Sequence, residues 1–216
     1  MKHVKIVNYL FLVIIMLSCK KDNSAINWSE ELKDSAWAGE FKYTLGANTD
    51  LQPFSIIMNK DKTFTWTNIE STRAGGVWEV DGNRVTLKFL NGTSLSADLS
   101  KDKWSNFNNP AINGFEIDNL SHTVIPNAAL LNNTTWTGRR DSPTAVSESV
   151  TVKFLIDNKA QIIVKGSVDN ITYKIEGAGI RDDSQGTYFV LLNSTLNLKG
   201  YGIYGVISFY YGLKKQ

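Results

Sequence analysis

Val77-Trp78-Glu79-Val80-Asp81-Gly82-Asn83-Arg84-Val85-Thr86-Leu87-Lys88-Phe89 is the stretch that decides the fold. Apolar and polar residues alternate on both sides of Asp81-Gly82-Asn83, the period of half-buried strands. Asp-Gly between two such runs favours a tight hairpin, because glycine accepts the positive φ of the turn without steric cost. Working outward, Ser55–Met58 and Thr63–Thr67 flank Asn59-Lys60-Asp61-Lys62 as another hairpin, and Asn91-Gly92 turns the chain toward Ser94–Leu99. Runs this rich in β-branched and aromatic residues, punctuated by Asn, Asp and Gly, predict an antiparallel meander.

The plan then recurs. Trp37-Ala38-Gly39 returns as Trp136-Thr137-Gly138, 99 positions later, and the turn at Asn59 returns as Asp157-Asn158-Lys159 between strands at 150–156 and 160–165. Val77–Gly82 is answered by Thr172–Gly177, and Leu90-Asn91-Gly92-Thr93 by Leu192-Asn193-Ser194-Thr195. Matches in one order, at offsets that drift by only a few residues, predict a duplicated unit, spanning residues 27–117 and 132–216, with 118–131 and its Pro126 as the linker. Each half offers about six or seven strands. Tyr201–Gly212 reads as one long closing strand, with Tyr201, Phe209 and Tyr211 on one face and Tyr204 and Tyr210 on the other. Asn27–Lys33 reads as a short helical turn with Asn27 as its N-cap and Glu30 three residues on.

A short helical turn, then Trp-x-Gly opening the first strand, then a run of hairpins resembles the lipocalin-like, or calycin, group of β-barrels. The residues that carry the resemblance are Trp37 with Gly39 and Trp136 with Gly138. It implies that each Trp packs across a closed barrel end and that each Gly lets the first strand bend. The expected fold is all-β, in tandem lipocalin-like antiparallel meander or barrel units. Two barrels and one composite barrel are both compatible with the pattern, since a complete lipocalin barrel has about eight strands.

The N-terminus carries a different message. Lys2 and Lys5 precede an apolar run, Tyr9–Leu17, and Ser18-Cys19 ends it. That run is too short to span a bilayer as a helix, which takes about 20 apolar residues, but it fits a secretory signal. Met16-Leu17-Ser18-Cys19 resembles the lipobox of bacterial lipoproteins. The resemblance implies cleavage before Cys19, lipidation of its thiol, and a tether over 19–26 that holds the chain to a membrane of the cell envelope. Lys20 follows the Cys in place of the inner-membrane-retaining Asp, so the expected location is the outer membrane. The Lys20-Lys21-Asp22 run is similar to surface-export tags of some Gram-negative lipoproteins. Stable anchoring needs more than one acyl chain.

Removing residues 1–18 from the 216 leaves 198, with 21 basic and 21 acidic residues, because Lys2 and Lys5 leave with the signal. Such balance gives no electrostatic footprint for nucleic acid. Cys19 is the sole cysteine, which excludes an intrachain disulfide, a thiol nucleophile beyond it and a Cys-ligated zinc site. His122 is the sole histidine after the signal and is expected in an exposed loop. Asp182-Asp183-Ser184-Gln185-Gly186 has oxygen ligands but not the spacing of a calcium loop, and no cofactor is expected. Glu79, Glu116, Asp118 and Glu176 are the carboxylates a glycan hydrolase would pair, although Glu79 and Glu176 alternate with Trp78 and Tyr173 and so read as solvated strand positions. Asp34-Ser35-Ala36 is similar to a short O-glycosylation acceptor. The expected activity is non-enzymatic binding of a small apolar or glycan ligand, or of a partner protein. Trp66, Trp78 and Trp104 are its candidate contacts, since ligand sites are mostly apolar with a few placed polar groups. A hydrolase and a pocketless surface protein are the alternatives.

Overall fold

A computed structural model describes residues 26–45, 48–69, 74–108, 115–184, 186–192, 196–204 and 207–216. Cys19 and the rest of the signal and lipobox lie outside the described residues. Helix α1 (Trp28–Glu31) leads into β1 (Ser35–Leu45), β2 (Asn48–Met58), β3 (Thr63–Asn68), β4 (Ala74–Asp81), β5 (Arg84–Phe89), β6 (Ser94–Leu99), β7 (Lys103–Asn108) and β8 (Phe115–Thr123). Helix α2 (Ala128–Leu131) then opens β9 (Thr134–Asp141), β10 (Glu148–Phe154), β11 (Lys159–Val164), β12 (Ser167–Glu176), β13 (Gly179–Asp182), β14 (Thr187–Leu191), β15 (Asn197–Tyr204) and β16 (Ile207–Lys215). Each set of eight strands closes into its own antiparallel barrel, β1 pairing with β8 and β9 with β16. Closure leaves no unpaired sheet edge. The fold is therefore two barrels, not one composite.

The duplication is written into hydrogen bonds. In the first unit Leu32 is buried, the Ser35 hydroxyl donates to its carbonyl at 2.6 Å, and the Trp37 indole donates to that hydroxyl at 2.8 Å. In the second, Leu131 is buried, the Thr134 hydroxyl donates to its carbonyl at 2.5 Å, and the Trp136 indole donates to that hydroxyl at 2.9 Å. Asp34 and Asn133 both take positive φ just before, which Asp and Asn tolerate better than other non-glycine residues. The repeated motif is thus Leu-x-x-Ser/Thr-x-Trp-x-Gly. It plugs one end of each barrel with a leucine and an indole whose only polar atom is satisfied. Gly138 earns its place by close approach: a Cβ there would lie 2.0 Å from the Gly212 carbonyl oxygen on β16.

Three of the four matched stretches are equivalent. Gly82 (φ 58°) and Gly177 (φ 62°) close the β4–β5 and β12–β13 hairpins. The fourth match is out of step: Leu90–Thr93 joins the fifth and sixth strands of its barrel, whereas Leu192–Thr195 falls between the sixth and seventh strands of the other.

Three further expectations are corrected. The 118–131 segment divides, with Thr123 ending the closing strand β8 and residues 128–131 forming α2. Its alternation is broken because the β1–β8 register shifts between Glu40 and Phe41, so that Ile117 and Leu120 are both buried. The long closing strand is a hairpin, with Tyr204 opposite Ile207. Asn27 sits at the N-cap of α1 without a side-chain capping bond, while Asn127 does cap α2, accepting from the Leu130 N–H.

The barrels pack against each other through a third apolar cluster of Ala38, Ile69, Tyr188, Val190, Leu192 and Tyr201. All five residues of β14 are buried because its outer face meets the first barrel while its inner face fills the second. Polar bonds stitch the seam. The Tyr188 hydroxyl lies 2.9 Å from the Ser55 hydroxyl and donates to the Thr67 carbonyl at 3.2 Å, and Thr123 donates to the Leu191 carbonyl at 2.7 Å. Arg181, with no exposed surface, donates to the Ile69 carbonyl at 2.8 Å, to the Asn68 carbonyl, and to Glu176 at 2.5 Å.

Candidate functional site

In both barrels the Trp marks the plugged end and the opposite end of the first strand marks the mouth. Strand alternation places Trp37, Gly39 and, past the bulge, Phe41 toward the first interior, and Trp136, Gly138 and Arg140 toward the second. The two mouths have diverged in chemistry. Around Phe41 stand Phe54, Trp66 and Phe89. Phe54 and Trp66 stack at 4.1 Å between centroids with planes 10° apart, and Phe89 lies 6.0 Å from Trp66. Carbon fills this mouth.

The corresponding end of the second barrel is charged. Arg140 donates to Glu148 through Nε at 2.9 Å and Nη2 at 2.7 Å, and the Lys165 ammonium reaches the other Glu148 oxygen at 2.6 Å. The guanidinium lies 4.2 Å from the Phe209 ring centroid. Farther in, the Tyr211 hydroxyl donates to Tyr204 at 3.4 Å, and Tyr204 lies 3.3 Å from the Thr187 hydroxyl. A polar thread therefore runs from the rim into the interior. A cleft of about 260 Å³ opens beside it, with Ile162 and Val164 as its apolar floor and Lys165, Ser167 and Asp169 on its rim. Lys165 first, and then Arg140, hold the Glu148 carboxyl below the usual carboxylate range. Burial pushes the Tyr211 phenol well above its ordinary value, with Tyr204 adding to the shift, so Tyr211 stays neutral. Arg140 and Glu148 were not singled out in the sequence. The available signal was Arg140 four residues after Trp136, where the first repeat has Phe41 four residues after Trp37.

The tryptophans expected to meet a ligand are elsewhere. Trp66, Trp78 and Trp104 all belong to the buried core of the first barrel. Trp78 is capped by the Lys62 ammonium 3.8 Å from its ring, and Trp104 lies 5.2 Å from Trp37 at the plugged end. Their rings contact other side chains, and none of the three lines the clefts described here.

The remaining candidates separate as well. Glu79 is exposed and pairs with Lys88 at 2.7 Å, as its alternation with Trp78 predicted. Glu176 is not a solvated position: it pairs with buried Arg181 in the seam. Glu116 faces Lys42 at 3.8 Å, and the Asp118 side chain lies outside the described residues. His122 is on β8 rather than in a loop, with its exposed ring edge-on to Trp37 at 5.3 Å. Asp182 accepts from the Ser184 amide at 2.6 Å and from its hydroxyl, a turn closing β13 to β14, while Gln185 lies outside the described residues. No cluster of three metal-ligating side chains occurs among the described residues. Ser35, the glycosylation candidate, is buried with its hydroxyl committed at both ends.

No protein-family model matches the chain, and neither does any curated protein. Among solved structures, a DUF3598-family protein of unknown function from Nostoc punctiforme is similar at a TM-score of 0.31 and 10% identity, over 87% of this chain and 97% of that one. NlpE, the Cpx pathway activator from Escherichia coli, is similar at a TM-score of 0.28 and 10% identity, over 83% of this chain and 90% of that one.

Proposed function

We propose that the chain is a non-enzymatic binding lipoprotein of the cell envelope, held at the outer membrane through lipidated Cys19, and that the mouth of its second barrel takes a small neutral polyhydroxylated ligand of about the size of a sugar. The anchor rests on the Met16–Cys19 lipobox. The ligand reading rests on one observation, the inward-facing Arg140–Glu148 pair beside an apolar-floored cleft of about 260 Å³.

Charge decides between ligand classes. Arg140 and Lys165 are balanced by Glu148 and Asp169. An anionic ligand would have to displace Glu148 from both cations, leaving a partly buried carboxylate unpaired, which is costly. A fully apolar ligand would strip water from the same pair without replacing its hydrogen bonds. A hydroxyl both donates and accepts, so it can bond a free lone pair of Glu148 and a rim N–H together. The first barrel, filled by Phe41, Phe54, Trp66 and Phe89, supplies the rigid mate against which the second is held.

The test is calorimetric titration of the mature chain with neutral malto- and chito-oligosaccharides and, separately, with aliphatic acids. Saccharide binding that Arg140→Leu abolishes is expected. Binding of the acids alone, or saccharide binding indifferent to Arg140→Leu, would overturn the reading. Metabolic labelling with a palmitate analogue tests the anchor independently, since Cys19→Ala should lose all label.

A further inference from the structure

A second cleft, of about 470 Å³, opens at the plugged end of the first barrel, on the face where the tether arrives. Trp28, Trp37 and His122 give it aromatic walls, Glu31 and Asp102 give it carboxylates, and Ile26 forms its lip. Both carboxylates lack an ion-pair or side-chain hydrogen-bond partner among the described residues, whereas neighbouring acids are committed: Glu30 to Lys33, Glu79 to Lys88 and Asp98 to Arg84. Lys101 also lines the cleft, offsetting one of its two negative charges. Two carboxylates against one ammonium leave the cleft one uncompensated negative charge beside the half-buried Trp28 ring. That combination attracts a compact cation, through charge and through the negative face of the aromatic ring.

Its position says which cation. Ile26 is seven residues from Cys19, and seven residues fully extended reach at most about 25 Å. On the proposed lipid anchor, the cleft cannot leave the neighbourhood of the bilayer. The chain leaving β8 just past His122 carries Val124 and Ile125, 39% and 45% exposed, and Ile26 is 49% exposed. Apolar side chains of this kind enter the boundary between headgroups and acyl chains. Free carboxylates there would repel anionic lipid and accept an ammonium.

We propose that the plugged end of the first barrel is a membrane-docking surface in which Glu31 and Asp102 receive the primary ammonium of an aminophospholipid headgroup while Ile26, Val124 and Ile125 enter the interface. The proposal relies on the lipid-anchor reading for its geometry but is measured without it. Docking this way turns the mouth of the first barrel away from the tethered face.

The mature chain from residue 19 carrying Cys19→Ser has no lipid, so in flotation with vesicles only its surface can hold it. Vesicles of phosphatidylethanolamine with phosphatidylcholine should carry about tenfold more protein than phosphatidylglycerol with phosphatidylcholine, as expected for one ion pair with aromatic support. Glu31→Gln with Asp102→Asn, both exposed and so harmless to folding, should abolish that preference. Ile125→Ser should lower flotation on both compositions. Equal or greater flotation with phosphatidylglycerol, an undiminished preference in the double variant, or no flotation at all would overturn the docking site. Loss of the palmitate label from wild type would instead strike the anchor.

Discussion

Arg181→Met tests whether the seam makes one cooperative body of the two barrels. The substitution keeps the length and removes the charge. Arg181 has no exposed surface, and its partner Glu176 is 14% exposed at the side chain. Three acceptors lose their donor together: the Glu176 carboxylate and the carbonyls of Asn68 and Ile69. Breaking a buried pair from one side costs about 3–5 kcal/mol, a large part of a stability of about 5–15 kcal/mol. With a urea slope of about 3 kcal/mol per molar, the midpoint should fall by about 1–1.7 M. Replacing Glu176 with Gln in the same chain should return about 1–2 kcal/mol, because a neutral amide is cheaper to leave unpaired. The molecule carries its own probes: five of six tryptophans lie in the first unit and six of eight tyrosines in the second. Tryptophan emission and the tyrosine circular-dichroism band should trace one coincident transition in the wild type and two in Arg181→Met. A midpoint shift below about 0.3 M, the size of a surface ion pair, or coincident transitions in the variant would refute this account of the seam.

Two other outcomes follow from single bonds. Ser35→Ala and Thr134→Val each strand a buried indole N–H and should each cost about 1–2 kcal/mol in urea denaturation, with additive effects in the double variant because the two plugs share no partner. Glu148 has a folded-state carboxyl below its unfolded value. Its contribution to stability is therefore present above the unfolded pKa and lost as pH falls through the folded one. Melting temperature should show an acid-side decline that Glu148→Gln flattens, and an unchanged profile in that variant would remove Glu148 from the stabilising network.

What the sequence disclosed was what short-range physics determines. Asp81-Gly82 dictates a hairpin whatever surrounds it, and Trp78 beside Glu79 separates inside from outside by period alone. The barrel count was less accessible, because closure depends on β8, whose alternation is broken by the register shift opposite Glu40. Tyr201–Gly212 read as one strand because Gly and aromatic residues alternate without a polar turn. The seam was illegible for a different reason. Tyr188 and Val190 look like ordinary strand residues, and Arg181 looks like an outward charge, until a second barrel covers them. Trp66, Trp78 and Trp104 read as ligand contacts because residue type alone does not distinguish a core ring from a pocket wall.

The duplication bears on where the proposed binding would reside. Two copies of one unit begin with the same demands, so positions retained in both are the ones that closure requires. Leu32 and Leu131, Ser35 and Thr134, Trp37 and Trp136 are of that kind, and all sit at the plugged ends. Positions that differ in kind are free of the folding requirement. Phe41 against Arg140 is such a pair, an apolar ring exchanged for a guanidinium at the same step of the first strand. Placing a charge inside a barrel costs stability unless partners are supplied, and Glu148 and the Phe209 ring are supplied around it, with Lys165 on the far side of Glu148. The first copy shows that the fold closes well with carbon at that step. The charged network of the second is therefore not required by barrel closure, which is the ground for proposing a ligand at that mouth rather than at the first.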